Sequence, residues 1–156
     1  MEVKKIIVLG DSGSGKTTAL ENICENLTET TALDYGKALI NGEKTYFFCS
    51  AGNKRFSFMQ DIISKNLDGA IIFIDNTIGI TKNSMRLIRF IEEKHVPYVI
   101  FANKHDINKE PLNIDVNAPI ISTNAITGQG IESGLDRLFN LMNNERMKLN
   151  QLTFAK

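Results

Sequence analysis

One eight-residue segment constrains the fold of this chain more than any other. Residues 10–17 read Gly-Asp-Ser-Gly-Ser-Gly-Lys-Thr, which matches the pattern G-x-x-x-x-G-K-[ST] of phosphate-binding loops. An apolar run, Ile6–Leu9, precedes this segment, and a helix-like stretch over residues 16–27 follows it. Glycines let backbone N–H groups approach phosphate oxygens closely, and the start of a helix adds positive potential. The sequence therefore predicts a strand, a phosphate-binding loop and a helix, in that order.

We expect this loop to bind the phosphates of a nucleotide through both its backbone and its side chains. Lys16 would bridge the terminal phosphates as a catalytic group, and the hydroxyl of Thr17 would coordinate Mg²⁺. The predicted binding residues of the loop are Asp11, Ser12, Gly13, Ser14, Gly15, Lys16, Thr17 and Thr18. The competing interpretation is a chance match in a glycine-rich turn, which the flanking strand and helix oppose.

The hydrophobic pattern predicts an α/β fold. Short apolar runs are typical of strands buried on both faces of a parallel sheet, and helix-like stretches separate them. The runs are Ile6–Leu9, Ala70–Ile74, Val99–Ala102 and Pro119–Ile121, and the helix-like stretches are 16–27, 82–94 and 131–147. The pair Asn41-Gly42 predicts a hairpin between residues 37–40 and 44–49. We therefore predict a single domain over residues 1–156, with a doubly wound sheet of about six strands, one antiparallel edge strand and helices on both faces.

Charge and composition disfavour several other classes of protein. The 18 basic and 18 acidic side chains give a net charge of zero, which argues against an electrostatic grip on bulk nucleic acid. No apolar run reaches the roughly 18 residues of a membrane-spanning helix, and no C-terminal cysteine offers a lipid anchor. Cys24 and Cys49 lack the spacing of a zinc site or a disulfide framework. We expect a cytoplasmic protein without nucleic-acid partners and without an intrinsic membrane anchor.

A second motif follows the predicted strand Val99–Ala102. It reads Asn103-Lys104-His105-Asp106 and resembles the guanine-reading motif Asn-Lys-x-Asp of the small Ras-like GTPases. By that resemblance the Asp106 carboxylate accepts two hydrogen bonds from guanine, Asn103 ties the base to the phosphate loop, and the Lys104 stem covers the ring. An adenine would leave the carboxylate unpaired, which discriminates strongly between the two bases. Taken alone, the motif could also be a solvated polar turn after a strand.

The resemblance extends to a third contact with the base. The family places a Ser-Ala-Lys turn after the next strand, and the corresponding residues here are Asn124, Ala125 and Ile126. The resemblance implies that the Ala125 N–H reaches the guanine carbonyl. Ile126 stands where the family has lysine, so cover over the base on that side would be apolar.

Two further segments resemble the switch regions of Rab-type proteins. Residues 48–56 read Phe-Cys-Ser-Ala-Gly-Asn-Lys-Arg-Phe, against Trp-Asp-Thr-Ala-Gly-Gln-Glu-Arg-Phe in the family, and residues 30–35 resemble Thr-Ile-Gly-Val-Asp-Phe. The resemblance implies that Thr30 ligates Mg²⁺ and contacts the γ-phosphate, and that the N–H of Gly52 contacts the same phosphate. These contacts would order the switches only in the triphosphate state. The chain resembles most the prokaryotic Ras-like GTPases related to gliding-motility proteins, which implies a roadblock-type or GTPase-activating protein as a partner.

Two departures from the family fall at the predicted catalytic centre. Cys49 replaces the Asp that holds Mg²⁺ through water, and a thiol is a soft group that suits Mg²⁺ poorly. Asn53 replaces the Gln that orients the attacking water, and its side chain is one methylene shorter. A misplacement of about 1 Å can cost roughly 100-fold in rate.

The departures leave alternatives open. A pseudo-GTPase would bind guanine nucleotide without turnover and act as an interaction module. A P-loop ATPase or kinase would use Asp75, which ends the apolar run Ala70–Ile74, as a Walker B acid. We favour the interpretation that Asp75 caps the turn that follows its strand. Between residues 107 and 118, where Ras-like proteins place a helix, prolines and weak periodicity predict at most one helical turn.

The replaced catalytic groups predict slow intrinsic hydrolysis of GTP. We expect a single-turnover rate below the roughly 10⁻⁴ s⁻¹ scale of unassisted Ras, because both the metal and the attacking water lose a family contact. Phosphate release from preloaded protein measures this rate. Fast hydrolysis without a partner would contradict the prediction.

Overall fold

The structure is a computed structural model that describes residues 3–29, 33–50 and 66–154. These ranges form one sheet with the strand order β2-β3-β4-β1-β5-β6-β7, together with helices α1, α2 and α3. The elements are, in chain order, β1 (Lys4–Gly10), α1 (Lys16–Ile23), β2 (Asn26–Glu29), β3 (Leu33–Ile40), β4 (Glu43–Ser50), β5 (Gly69–Asp75), α2 (Lys82–Glu93), β6 (Tyr98–Asn103), β7 (Ile120–Thr123) and α3 (Ile131–Phe154).

The strand directions confirm the predicted fold class. Strand β1 pairs in parallel with β4 and β5, and β6 and β7 continue the parallel part of the sheet. Strand β3 runs antiparallel to both β4 and β2. The structure adds a seventh strand, β2, to the six strands that the sequence indicated. The antiparallel strand β3 therefore lies one position in from the edge of the sheet, and β2 occupies the edge.

The additional strand exists because α1 is shorter than its apolar pattern suggested. The helix ends at Ile23, and Cys24 is already extended, with φ −96° and ψ 143°. Residues 26–29 then pair with residues 34–37 of β3. Pairing along the sheet edge has overridden the helical pattern of residues 24–27, as tertiary contacts commonly override local propensity.

Both faces of the sheet are covered, which explains the continuous apolar runs of its central strands. On β1, Ile6 and Val8 pack in a cluster with residues of α1 and α3, whereas Ile7 and Leu9 pack with residues of α2 on the opposite face. All four side chains are at most 1% exposed. Because β1 is central, its carboxyl end, where the phosphate-loop motif begins, lies in the middle of the sheet edge. No helix in the described ranges is long and apolar enough to span a bilayer.

The segment 104–119 contains no helix, which confirms the prediction for residues 107–118. Its partly buried residues Leu112, Ile114 and Val116 alternate along the chain and pack against the cluster that contains Ile7. The side chain of Asn76 fixes the start of the segment by donating hydrogen bonds to Asn108 O (2.6 Å) and Glu110 O (2.9 Å). An extended segment therefore covers apolar surface on this face of the sheet.

The close approach of α3 to the sheet generates a prediction about Gly134. A Cβ atom at this position would lie 2.6 Å from Cζ of Phe101, a side chain that is fully buried against Phe73. Replacing a helical glycine with alanine usually stabilises by up to about 1 kcal/mol, but overpacking a fixed core costs about 1–3 kcal/mol. We expect Gly134→Ala to lower the free energy of unfolding by about 1 kcal/mol, as measured by urea denaturation.

The neighbouring exposed residue Ser133 provides the control. We expect Ser133→Ala to stabilise by about 0.5 kcal/mol through helix propensity alone. Equal stabilisation by both substitutions would show that the core can adjust around Phe101.

Candidate functional site

The phosphate-loop motif connects β1 to α1 at the carboxyl edge of the sheet. The strand ends at Gly10 and the helix begins at Lys16, and the N–H of Ser14 donates to Asp11 O (3.1 Å) within the loop. A Cβ at Gly10, whose φ is +152°, would lie 2.6 Å from Phe73 O, so the backbone of β5 passes too close for any other residue. The loop thus has the strand–loop–helix geometry that the motif predicts.

Lys16 folds back over this loop. Its Nζ donates a hydrogen bond to Gly10 O, and the residue is 7% exposed. Burial lowers the pKa of Lys16, while the nearby Cys49, Asp11 and Asp34 oppose that shift. The ammonium group therefore bonds one loop carbonyl, and the charges of Asp11 and Asp34 favour its protonated form.

The other loop residues differ in exposure. Ser12 and Gly13 are exposed at the tip of the loop, whereas Ser14 is buried. Thr17 and Thr18 are half-buried in the first turn of α1. The tip of the loop is therefore open to solvent, and the Thr17 side chain lies in the first turn of α1.

The side chain of Asp11 is held by the start of α2. Its carboxylate accepts hydrogen bonds from the Thr81 hydroxyl (2.7 Å) and from the Asn83 amide (2.5 Å). Thr81 also caps α2, because its hydroxyl accepts from the N–H of Ser84 at 3.0 Å. Thr81 and Asn83 are not among the residues that the sequence predicted for the site, although the spacing of Thr81 and Ser84 is a recognisable capping pattern. Only the backbone of Asp11 is therefore left as a candidate phosphate ligand.

Asn103 joins three segments at the end of β6. The residue is buried, and its Nδ2 donates to Ser14 O in the phosphate loop at 2.8 Å. Its Oδ1 accepts hydrogen bonds from the N–H of Ala125 (2.9 Å) and from the hydroxyl of Thr123 (3.2 Å). A Cβ at Gly15 would collide with Nδ2 of Asn103, so the last glycine of the loop is needed for this junction.

The Ala125 amide makes a contact that the sequence did not predict. We expected its N–H to face a guanine carbonyl, but in the structure it donates to Asn103. The reason is local, since the turn places the amide against the buried side chain of β6. Asn124 closes the turn by accepting from the N–H of Ile126 at 3.0 Å, and Ile126 itself is 81% exposed.

Lys104 and Asp75 form an ion pair next to this junction. Nζ of Lys104 lies 2.7 Å from Oδ2 of Asp75, and Oδ1 accepts from the N–H (2.9 Å) and hydroxyl (2.5 Å) of Thr77. Burial would raise the pKa of Asp75, but the hydrogen bonds from Lys104 and Thr77 outweigh it and hold that pKa below its usual value. Asp75 thus caps the turn after β5, as we favoured, and both of its oxygens are engaged. Asp106 is exposed beyond Lys104.

Cys49 lies on β4, on the other side of β1 from Asp75. It is the register partner of Val8 on β1 and of Asp34 on β3, and it is 1% exposed. Burial raises the pKa of the Cys49 thiol to about 11, against the opposing effect of Lys16, so the thiol is protonated at neutral pH. Within the described ranges no group of three or more His, Cys, Asp and Glu side chains could hold a metal ion.

Three predicted site residues cannot be placed in this geometry. Thr30, Gly52 and Asn53 lie outside the described residues. The roles that the sequence assigned to them therefore stay predictions.

The fold, the phosphate loop and the junction at Asn103 define an α/β domain of the P-loop class. Comparisons with known proteins identify its family. No family profile matches the chain. The chain is 39% identical over 109 residues to the uncharacterized protein MJ1339 of Methanocaldococcus jannaschii, which covers 66% of this chain and 71% of that protein. It is 28% identical over 125 residues to the Ras-related protein Rab-32A of Dictyostelium discoideum, which covers 68% of this chain and 57% of the relative.

A solved structure agrees with this assignment. The Arl6 small GTPase of Trypanosoma brucei, determined with the nucleotide analogue GppNp, superposes with a TM-score of 0.67 and 17% identity over 92% of this chain and 99% of that one. The chain therefore belongs to the Ras-like P-loop GTPases, in one family with the Methanocaldococcus protein. The fold likeness covers nearly the whole chain, whereas the match to Rab-32A spans little more than half of that protein.

The junction at Asn103 generates a stability prediction. We expect Asn103→Ala to lower the free energy of unfolding without nucleotide by about 3 kcal/mol, because Ser14 O, the Ala125 N–H and the Thr123 hydroxyl each lose a buried partner. Denaturant unfolding measures this loss. The exposed Asn113 provides a matched control, and Asn113→Ala should change stability by less than about 0.5 kcal/mol. Equal effects of the two substitutions would contradict the junction role.

Proposed function

We propose that this chain is a molecular switch that binds GTP and GDP with Mg²⁺ and hydrolyses GTP slowly. The observation that carries the proposal is the Asn103 side chain, which bonds the phosphate loop at Ser14 and the turn at Ala125. A ligand that contacts both segments would contain a polyphosphate at one end and a base at the other. The similarity to the Ras-related protein Rab-32A and to the Arl6 small GTPase, which was determined with bound GppNp, supports a guanine nucleotide as that ligand.

The phosphate half of the site would use the loop and the start of α1. Backbone N–H groups of residues 11–16 and the helix N-terminus would bind the phosphate oxygens, with Lys16 moving from Gly10 O to the terminal phosphates. The Thr17 hydroxyl fits Mg²⁺, because that ion prefers hard oxygen ligands and retains several of its waters. Bound Mg²⁺ would neutralise charge between the β- and γ-phosphates.

The base half would use the segment after β6. The exposed carboxylate of Asp106 would accept hydrogen bonds from the ring N–H and the amino group of guanine. Lys104 would lie over the ring, and its ion pair with Asp75 supports this because it holds the side chain in place at 2.7 Å. Asn124, Ala125 and Ile126 would border the base on the other side.

The proposed catalytic centre would hydrolyse GTP at a low rate. The protonated thiol of Cys49 adds no negative charge and no hard oxygen near the metal. Asn53 would orient the attacking water less well than a glutamine, while Lys16 and the N–H of Gly52 would stabilise charge on the γ-phosphate. Thr30 and Gly52 would contact that phosphate only in the GTP state. A partner of the GTPase-activating or roadblock type could therefore bind one nucleotide state selectively or accelerate hydrolysis.

A second candidate function is a pseudo-GTPase that binds guanine nucleotide without turnover. The buried, protonated Cys49 favours it. The ATPase or kinase alternative is less well supported, because both carboxylate oxygens of Asp75, at the end of β5, already accept hydrogen bonds from Lys104 and Thr77. Release of phosphate from bound GTP separates the first two functions.

Thermal unfolding with nucleotides tests the base assignment. A ligand at 100 times its Kd stabilises the folded state by about 2.7 kcal/mol, so GDP and GTP should raise the Tm and ADP and ATP should not. In Asp106→Asn the carboxamide can donate to a carbonyl at the 2-position of the base. We therefore expect this variant to lose stabilisation by GDP and to gain it with xanthosine diphosphate.

The exposed Asp115 in the same segment provides the control. Asp115→Asn should keep the nucleotide preference of the unmodified protein. A Tm shift with ATP alone would refute the guanine assignment, and an unchanged preference in Asp106→Asn would refute the role of Asp106.

A further inference from the structure

The exposed tip of the phosphate loop lies between two contacts with other elements of the fold. On one side, Nδ2 of Asn103 donates to Ser14 O at 2.8 Å. On the other side, the carboxylate of Asp11 accepts hydrogen bonds from the Thr81 hydroxyl at 2.7 Å and from the Asn83 amide at 2.5 Å. The two residues between these contacts are exposed. The loop tip is therefore attached to β6 at one end and to the start of α2 at the other.

The capping box at the start of α2 orients the hydroxyl of Thr81 toward Asp11. A threonine hydroxyl has one proton to donate. Its oxygen accepts from the N–H of Ser84 at 3.0 Å, and the Ser84 hydroxyl lies 2.8 Å away. Because the helix cap uses the Thr81 oxygen as an acceptor, the proton is left for Oδ2 of Asp11.

The amide of Asn83 is oriented in the same sense by Arg86. A guanidinium nitrogen of Arg86 donates to Oδ1 of Asn83 at 2.7 Å. A guanidinium group only donates hydrogen bonds, so its contact requires the carbonyl oxygen of Asn83 on that side. The NH₂ group of Asn83 then faces Asp11. Two oriented donors, 70 and 72 residues away in the sequence, thus satisfy one carboxylate.

The carboxylate of Asp11 has the same sign of charge as the polyphosphate that we propose for this loop. Asp11 acts electrostatically on Lys16, the residue that would bind the terminal phosphates. If the carboxylate turned toward Lys16, it would repel the phosphates and compete with them for the ammonium group. The two donors of α2 satisfy this charge at the side of the loop.

We propose that Thr81 and Asn83 are positioning residues for nucleotide binding, which hold the Asp11 carboxylate away from the phosphates and thereby slow nucleotide release. This inference rests on the proposed function, because it requires a nucleotide bound at the phosphate loop. The start of α2 acts on the nucleotide through Asp11.

A purely structural role of the same residues would be to cap and stabilise α2. In that case their substitution lowers the stability of the nucleotide-free protein and leaves the rate of nucleotide release unchanged. A positioning role changes the rate of release, and it does so only while residue 11 carries a carboxylate.

The test measures dissociation of a fluorescent GDP analogue after addition of excess unlabelled GDP. We expect Thr81→Val and Asn83→Ala each to speed dissociation by about tenfold, because each removes one hydrogen bond from a charged group that can then turn toward Lys16. An unchanged rate in either folded variant would overturn the inference. Asn83→Ala leaves the Thr81 cap in place and carries the test alone if Thr81→Val does not fold.

The same two substitutions in an Asp11→Ala background test whether α2 acts through the carboxylate. In that background neither substitution should change the dissociation rate by more than about twofold, because no carboxylate remains to be held. An acceleration of the same size in both backgrounds would overturn the inference.

Two further variants separate the donor from the helix cap. Thr81→Ser retains a hydroxyl at this position and should restore slow release. Ser84→Ala weakens the capping box without removing a donor from Asp11, so it should lower the Tm of the nucleotide-free protein and leave the dissociation rate unchanged. If Ser84→Ala speeds release as much as Thr81→Val, the effect belongs to the helix cap and the inference is overturned.

The unmodified protein distinguishes this inference from the proposed function. If it does not bind the GDP analogue, the proposed function fails together with the inference. If it binds the analogue and the α2 variants release it at the same rate, only the inference fails.

Discussion

The hydrogen bonds of one buried amide side chain hold the two halves of the site together. Asn103 donates to the phosphate loop at Ser14 and accepts from the turn at Ala125. The two segments are far apart in the sequence, and only the parallel order of β1, β5, β6 and β7 brings them to one edge of the sheet. Gly15 is part of the same constraint, because any side chain there would displace Asn103. The sheet thus brings the phosphate loop and the turn at Ala125 to the same edge, and Asn103 fixes the distance between them.

The sequence was most informative where local pattern and buried surface agree. The phosphate loop, the parallel strands and the absence of a helix between residues 107 and 118 follow from glycine spacing, continuous apolar runs and proline content. Strand β2 was not predictable in the same way, because residues 24–27 continue a helical apolar pattern and only their pairing with β3 makes them extended. Pairing at a sheet edge depends on a partner strand, and the residues of that strand lie outside the short stretch of sequence from which a local pattern is judged.

In the candidate site, too, the sequence predicted the local segments but not the contacts between them. The motifs identified the backbone segments that come together, but not the bonds between their side chains. The attachment of Asp11 to Thr81 and Asn83 depends on how α2 approaches the loop. The bond from the Ala125 amide to Asn103 depends on how the turn after β7 lies against the end of β6. The resemblance indicated that Cys49 stands where the family has an aspartate. Only the register of β3 and β4 shows that Asp34 lies opposite Cys49.

The edge strand β2 has a mechanical consequence for the switch that we propose. Residues 30–32 separate two strands that pair with each other, and the ladder next to them ends at Glu29 opposite Asp34. Because residues 26–29 of β2 pair with residues 34–37 of β3, a displacement of either strand would break hydrogen bonds of this ladder. The pairing of β2 with β3 would therefore add to the free-energy cost of any rearrangement of this sheet edge between the two nucleotide states.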